Sequence, residues 1–377
     1  MFFAIEHRLW GRVCDLGMNA AIAYLILARG TGPDNRTSSW SHQAIEKYTG
    51  IARYKAREAI DRLCEEGLAA RFSDGLRPGC TLASYEELHR VAMTGQERLI
   101  YENVAAGRQP SRKSQKTIAS RLVRKGLLAR GNQDFYQIRE VKPEWIWLPN
   151  ALVTGAGGET PPIELMRQTQ DPLLLRLLVD LYDAQNLLEH GGISRFVIHQ
   201  EFERIRVGEQ GALVVWGFRD SDSKVAYGGS AALAPHLNRS AKESSEQYEP
   251  IWRRVRILES LGLIEWIPYL FESENRDAEL IHPCGMGGSE AIEDLIGRAA
   301  HDAGLTLLTQ GQIDWATAEG LRLVPLPRHL DNVTLCGIAR LRYRARTKLT
   351  GAWFADSRSN GSRWLAQYEK MLEQKNA

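Results

Sequence analysis

Three times the chain runs an amphipathic helix into the same junction. Leu63 to Leu68 (LCEEGL), Leu122 to Leu127 (LVRKGL) and Leu258 to Leu263 (LESLGL) all read Leu-x-x-x-Gly-Leu. The pattern is mechanical. A buried leucine ends the helix, glycine takes up the left-handed backbone that other residues avoid, and a second leucine opens a strand. Any helix-to-strand junction can show it, because glycine is the commonest residue at that position. Three occurrences, each with an amphipathic helix before and a strand–turn–strand pattern after, predict three related helix–hairpin units.

The first unit is the most complete. Ser41 is placed to N-cap a short helix through Tyr48, its hydroxyl accepting an orphan backbone N–H. Thr49-Gly50 breaks that helix. A second helix is predicted over 52–66, with Ala56, Ala59, Ile60 and Leu63 at i, i+3, i+4 and i+7. Gly67 is the expected C′ residue. Leu68 to Phe72 and Cys80 to Ala83 pair as a hairpin across 73–79. Upstream, the mostly apolar Met18 to Arg29 supplies an earlier helix, joined by the turn-rich segment 31–39 (TGPDNRTSS). Over residues 17–83 this order resembles the winged helix-turn-helix regulators and replication initiators of bacteria and phages. The resemblance implies an α+β, predominantly helical fold and binding to double-stranded DNA.

The second unit is abbreviated. Helical stretches at 96–106 and 111–125 flank the breaker 107–110, and Leu127 to Arg130 with Phe135 to Ile138 form a short hairpin. Trp145 and Trp147 pack the units together, and 154–162 (TGAGGETPP) reads as a linker. Helices are expected over 173–188 and 244–261. A third wing is expected from 264–271 and 279–282. Beyond it the segment changes character: a helix over 289–303 with Ser289 as its cap, strands over 321–326 and 333–348, and a closing helix over 363–374. The expected divisions are therefore 1–94, 95–150, 151–285 and a C-terminal α/β segment, 286–377.

Length bounds the organisation, since 377 residues suffice for two or three domains. Formal charge is only +2, so a nucleic-acid reading rests on where charge sits. The five cysteines are dispersed with no CxxC pair, which argues for a reducing, cytoplasmic setting rather than a disulfide framework. The longest early apolar run, 20–28, is far short of the ~20 residues of a bilayer span. The opening MFFAIEHRLW lacks the pattern of a signal peptide.

Three basic clusters are candidates for contact with DNA. Arg53, Tyr54, Lys55 and Arg57 lie in the first two turns of the 52–66 helix, while Glu58, Asp61, Glu65 and Glu66 lie toward its far end. The tip of the second helix of a helix-turn-helix is the part that enters the major groove. There an arginine fork matches guanine acceptors, and lysine and tyrosine reach phosphates. Arg77, at the wing tip, extends the surface to backbone or minor groove. Residues 107–130 hold Arg108, Arg112, Lys113, Lys116, Arg121, Arg124, Lys125 and Arg130 with no Asp or Glu, and Ser111 and Ser114 add donors. A helix face without acidic partners seeks polyanions. Arg340, Arg342, Arg344, Arg346 and Lys348 recur every second residue, so on a strand all five share one face. Such a row needs either nucleic acid or an acidic surface. This chain offers the latter: eight carboxylates lie between 265 and 294 against Arg276 alone.

Catalytic patterns are absent. His282 and Cys284 lack the second pair that a structural zinc site needs. No Walker-type GK[ST] is present, and Gly155 to Gly158 lacks the setting of a dinucleotide loop. The sequence thus predicts a non-enzymatic, cofactor-free, double-stranded DNA-binding protein, a transcriptional regulator or replication initiator, for example of a mobile element. Its third unit would serve a homodimer or a protein partner. The rival reading is a winged-helix scaffold for protein contacts, supported by the acidic third wing. A single-strand binder would want more aromatics beside the basic stripes than Tyr54 and Tyr343.

Overall fold

All three Leu-x-x-x-Gly-Leu junctions form left-handed helix caps. Gly67, Gly126 and Gly262 have φ of 68°, 74° and 66°. The following leucine N–H bonds to the carbonyl five residues back: Leu68 to Leu63 at 2.8 Å, Leu127 to Leu122 at 3.0 Å, Leu263 to Leu258 at 2.9 Å. This is the 6→1 bond of a Schellman cap. The same bond joins Leu321 to Ala316 at 2.9 Å and Arg108 to Asn103 at 2.8 Å. The junction is therefore this chain's recurrent way of stopping a helix, not by itself the mark of a repeated unit.

The computed structural model describes residues 1–73, 78–91, 93–132, 135–138, 143–285, 291–344 and 348–376. The chain is mixed α+β, 46% helix and 25% strand, so helix dominates. It divides into two compact units, Met1–Arg176 and Leu177–Ala377. The division falls inside a helix rather than in the expected linker at 154–162, which joins two helices within the first unit.

In the N-terminal unit, β1 (Phe2–Glu6), α1 (His7–Asp15) and α2 (Met18–Arg29) are followed by β2 (Thr37–Ser38), α3 (His42–Thr49), α4 (Arg53–Glu65), β3 (Ala69–Ser73) and β4 (Pro78–Leu82). The small sheet has the order β2-β4-β3. Helix α2 is apolar all round and is buried from Ala20 through Ala28, as a central core helix must be. It packs against α3 and α4, whose inward residues are Ile45, Ala56, Ala59, Ile60 and Leu63. Ser41 holds the N-cap position of α3, but its hydroxyl makes no capping bond, contrary to expectation. Glu6 is buried and anchors this region. It is ion-paired with Arg36 at 2.8 Å and accepts the Tyr85 N–H at 3.1 Å.

Next come α5 (Tyr85–Val91), α6 (Gly95–Ala105), α7 (Lys113–Arg124), β5 (Leu128–Arg130) and β6 (Tyr136–Ile138). They enclose a core of their own, centred on Ile100, Tyr101, Ala119, Leu122, Leu127 and Tyr136. β7 (Trp145–Pro149) returns to pair antiparallel with β1, from Phe2↔Pro149 to Glu6↔Trp145. The expected boundary at 94/95 is thus bridged by a pairing between residues far apart in sequence. α8 (Ala151–Thr154) and α9 (Pro162–Thr169) follow, and α10 (Pro172–Asp183) spans the division between units. It stops at Asp183, short of the expected 188, because Gln185 onward turns into a two-stranded ribbon.

The C-terminal unit holds that ribbon, β8 (Gln185–Asn186) and β9 (Gly192–Ile193). After it come β10 (Ile198–Gln210), β11 (Leu213–Ala226), α11 (Ser244–Ser260), β12 (Ile264–Phe271), β13 (Leu280–Pro283), α12 (Ile292–Thr306), α13 (Gln310–Ala318), β14 (Arg322–Pro327), β15 (Thr334–Leu341) and α14 (Lys348–Asn376). One antiparallel sheet has the order β13-β12-β15-β10-β11-β14. Alternate residues of its strands pack on opposite faces. Val214, Trp216, Phe218, Val324 and Leu326 join the core with α12 and Tyr368 of α14. Val207, Val215 and Leu323 face Ala316 of α13. Prolines at 283, 325 and 327 sit in the two edge strands, which blunts them.

This sheet corrects three expectations. The 264–271 and 280–283 hairpin does form, but β12 also pairs along its whole length with β15, from Ile264↔Leu341 to Phe271↔Thr334. It is the margin of a larger sheet rather than a separate wing, and the expected boundary at 285/286 does not divide the unit. Strand β15 ends at Leu341, so no strand reaches 348. Finally, α14 begins at Lys348, well before 363. Gly361 within it reads as a breaker, yet a side chain there would meet Ile292 Cγ1 at 2.7 Å; the glycine lets α14 and α12 approach closely.

Candidate nucleic-acid interface

The first turn of α4 contains no acidic residue. It opens instead with Arg53, Tyr54 and Lys55, all exposed, and Arg57 follows on the outer face. Cations at a helix N-terminus oppose the macrodipole and cost about 0.3–1 kcal/mol each. A chain that places them there without compensation gains an anion-seeking tip. Arg53 is partly compensated, with Nε 3.0 Å from Glu46 of α3. Tyr54 is 66% exposed, with the Lys55 ammonium 5.9 Å from its ring centroid. Lys55 and Arg57 have no ion pair among the described residues. The local field is felt by His42, whose pKa is lowered by burial first and then by Arg57, Arg53 and Arg71.

Arg71 was not singled out in the sequence. It reaches from β3 to Asp61 at 2.8 Å and donates to the Arg57 carbonyl at 3.4 Å, so it ties the hairpin to α4. Nothing in its sequence neighbourhood signals that role. Arg77 lies outside the described residues.

Helix α7 repeats the pattern of an N-terminus without acids. Its core face is Ala119 and Leu122. Ser111, Arg112, Lys113, Arg121 and Arg124 are exposed and Lys116 is half-buried. Gln115 Oε1 accepts the N–H groups of Ser111 at 3.1 Å and Arg112 at 3.2 Å, which fixes the helix start. The expectation that this helix lacks an acidic partner is corrected by Glu97 of α6. That carboxylate is buried, takes Lys125 Nζ at 2.9 and 3.0 Å and lies 4.0 Å from Arg121. It also closes a capping box with Thr94. Its pKa is lowered, chiefly by the Lys125 hydrogen bond. The Thr94-x-x-Glu97 spacing is a capping-box signature legible in sequence, but its reach to Lys125 is not. Arg108, Lys113 and Arg124 remain exposed and without an ion pair among the described residues.

The third cluster comes apart. Arg340 is buried, pairs with Glu293 of α12 at 2.9 Å and donates to the Tyr269 hydroxyl. Its guanidinium lies 5.5 Å from the Trp353 ring centroid. Of the two partners open to this row, Arg340 takes the acidic surface of its own chain, at Glu293. Arg342 and Arg344 lie past the strand end. Arg342 is exposed and Arg344 sits 4.9 Å from the Trp353 ring centroid. Burial lowers the Arg344 pKa, with Arg340 adding to it. Arg346 lies outside the described residues, and Lys348 begins α14. With Arg340 turned inward and Arg342 exposed, the described members of the row do not share one face.

No family model, curated protein or solved structure matches the chain. Among the described residues, no three metal-ligating side chains converge, and no helix is long and apolar enough to cross a membrane.

Proposed function

We propose that this chain is a double-stranded DNA-binding protein whose N-terminal unit carries two winged helix-turn-helix modules. Residues 18–82 form the complete module and 93–138 the abbreviated one. The observation that carries the reading is the pairing, in two modules, of a helix whose cationic N-terminus holds no acidic residue of its own and a following hairpin. In the first module the order α2–β2–α3–α4–β3–β4 supports α4 as the reading helix. Arg53, Tyr54, Lys55 and Arg57 then meet base edges and flanking phosphates. In the second, Arg112, Lys113 and Arg124 of the α7 region supply phosphate contacts, with Ser111 and Lys116 beside them. Arg340 is withdrawn from the interface. Transcriptional regulation and replication initiation, for example on a mobile element, both suit such a protein, in the cytoplasm. A homodimer or a protein partner would engage the C-terminal unit.

Selection of bound sequences from a random duplex pool tests this. Enrichment of a compact motif, lost on Arg57→Ala, is the expected result. A pool that stays random after repeated rounds would refute sequence reading by α4.

A further inference from the structure

The C-terminal unit contains a cavity of about 450 Å³ that is independent of any DNA reading. Its walls are built rather than incidental. Arg195 is buried and donates to the carbonyls of Ser273, at 3.1 Å, and Asn275. Its guanidinium lies 4.2 Å from the Phe271 ring centroid. This fixes the turn that carries Glu274 and spends two of the five N–H donors of Arg195 on backbone. His199, on β10, is 8% exposed and lines the cavity. Its Nδ1 is 2.8 Å from the Arg195 carbonyl. A carbonyl accepts only, so Nδ1 carries the proton and Nε2 keeps its lone pair. Nε2 has no hydrogen-bond partner among the described residues and is not sealed from solvent. Burial is the main cause of a lowered His199 pKa, which keeps the ring neutral and the lone pair available.

The remaining chemistry is acidic and aromatic. Glu201 and Glu274 line the cavity, are exposed, and have no ion pair among the described residues. The Tyr227 ring stacks on His199 with centroids 5.8 Å apart and is 38% exposed. An anion would meet these two carboxylates, unpaired among the described residues, which outnumber the single Arg195 guanidinium on the cavity wall. A metal ion lacks three converging ligands among the described residues. A cation with N–H donors finds a lone pair, two carboxylates and an aromatic face together.

We propose that this cavity binds the guanidinium or primary ammonium group of a small organic cation, with His199 Nε2 as acceptor and Glu201 and Glu274 as counter-charges. The test is isothermal titration of the full chain with agmatine, which carries both groups, at low salt. The expected result is one saturable site per chain with Kd of about 1 mM or tighter. Glu201→Gln with Glu274→Gln should weaken it about tenfold or more. His199→Phe, which keeps the stack on Tyr227 and removes the acceptor, should also weaken it. The exposed glutamate pair carries the test if the histidine variant fails to fold. Three results would each overturn the proposal: no saturable heat up to about 10 mM, affinity unchanged in the double glutamine variant, or acetate binding as well as agmatine. Stoichiometric zinc binding lost in the same variant would overturn it in favour of a metal site.

Discussion

Glu97 shows how much one side chain decides here. It is a nearly fully buried carboxylate that closes its own helix start and holds Lys125 and Arg121. Replacing it with glutamine leaves the box geometry but removes the charge that answers Lys125. Loss of a charged hydrogen bond of this kind costs about 1–3 kcal/mol, and Lys125, being a third exposed, favours the lower end. We predict that Glu97→Gln lowers the urea midpoint of the N-terminal unit. An unchanged midpoint would show that the pair contributes nothing. Its depressed pKa gives the sign with acid: the contribution is present above the ordinary carboxylate range and fades as pH falls through the lowered value. The interface residues separate by type. Arg53→Ala or Arg57→Ala should relax sequence preference by about 1–3 kcal/mol at one position, whereas Lys113→Ala with Arg124→Ala should weaken all duplexes alike. Competition binding against matched and scrambled duplexes distinguishes them. Equal loss of preference from both sets would place the reading helix elsewhere.

At the scale of elements, the Gly caps make the sharpest expectation. An ideal side-chain carbon at Gly126 would meet nothing within 4 Å, so substitution there meets no clash and isolates backbone strain. Its φ of 74° costs a non-glycine residue roughly 1–2 kcal/mol. Gly126→Ala should therefore destabilise by about that amount, and Gly126→Asn by less, because asparagine tolerates this conformation. Equal effects of both, measured by urea denaturation, would contradict the cap account. These caps also explain what was legible. Helix ends at Glu65, Arg124 and Ser260 follow from a leucine, a glycine and a leucine in fixed spacing. The local pattern did not distinguish a free wing from a hairpin absorbed into a sheet, because both begin with the same helix stop.

For the whole molecule, the readable part was local and the missed part was long-range. The helix pair of the first module and its hairpin follow from periodicity and breakers over 41–83. The six-stranded sheet depends on β15 lying between β12 and β10, and no short-range signal records that pairing. The arginine row misled for the same reason: a period of two names a shared face only while the strand lasts, and β15 ends at Leu341. Arg340 is consequently structural. Arg340→Ala should destabilise the C-terminal unit by about 2–3 kcal/mol by removing a buried guanidinium and leaving the partly exposed Glu293 unpaired, with duplex affinity unchanged. That unit should also be acid-sensitive. Burial holds His282 down at about 4 and His190 at about 3, so the unfolded chain takes up protons first. Stability present above about pH 6.5 should be lost progressively toward pH 4, by roughly 3 kcal/mol for His282. Equal urea midpoints at pH 7 and pH 5 would contradict this. The central claim is that the N-terminal unit binds duplex DNA through its cationic helix tips. It is tested most directly by measuring affinity for a duplex across salt concentrations. The account predicts binding at low salt whose logarithm falls with the logarithm of salt by about 0.9 per phosphate contacted, and a slope about two smaller after Lys113→Ala with Arg124→Ala. Absence of duplex binding at low salt, or a slope unmoved by those substitutions, would contradict it.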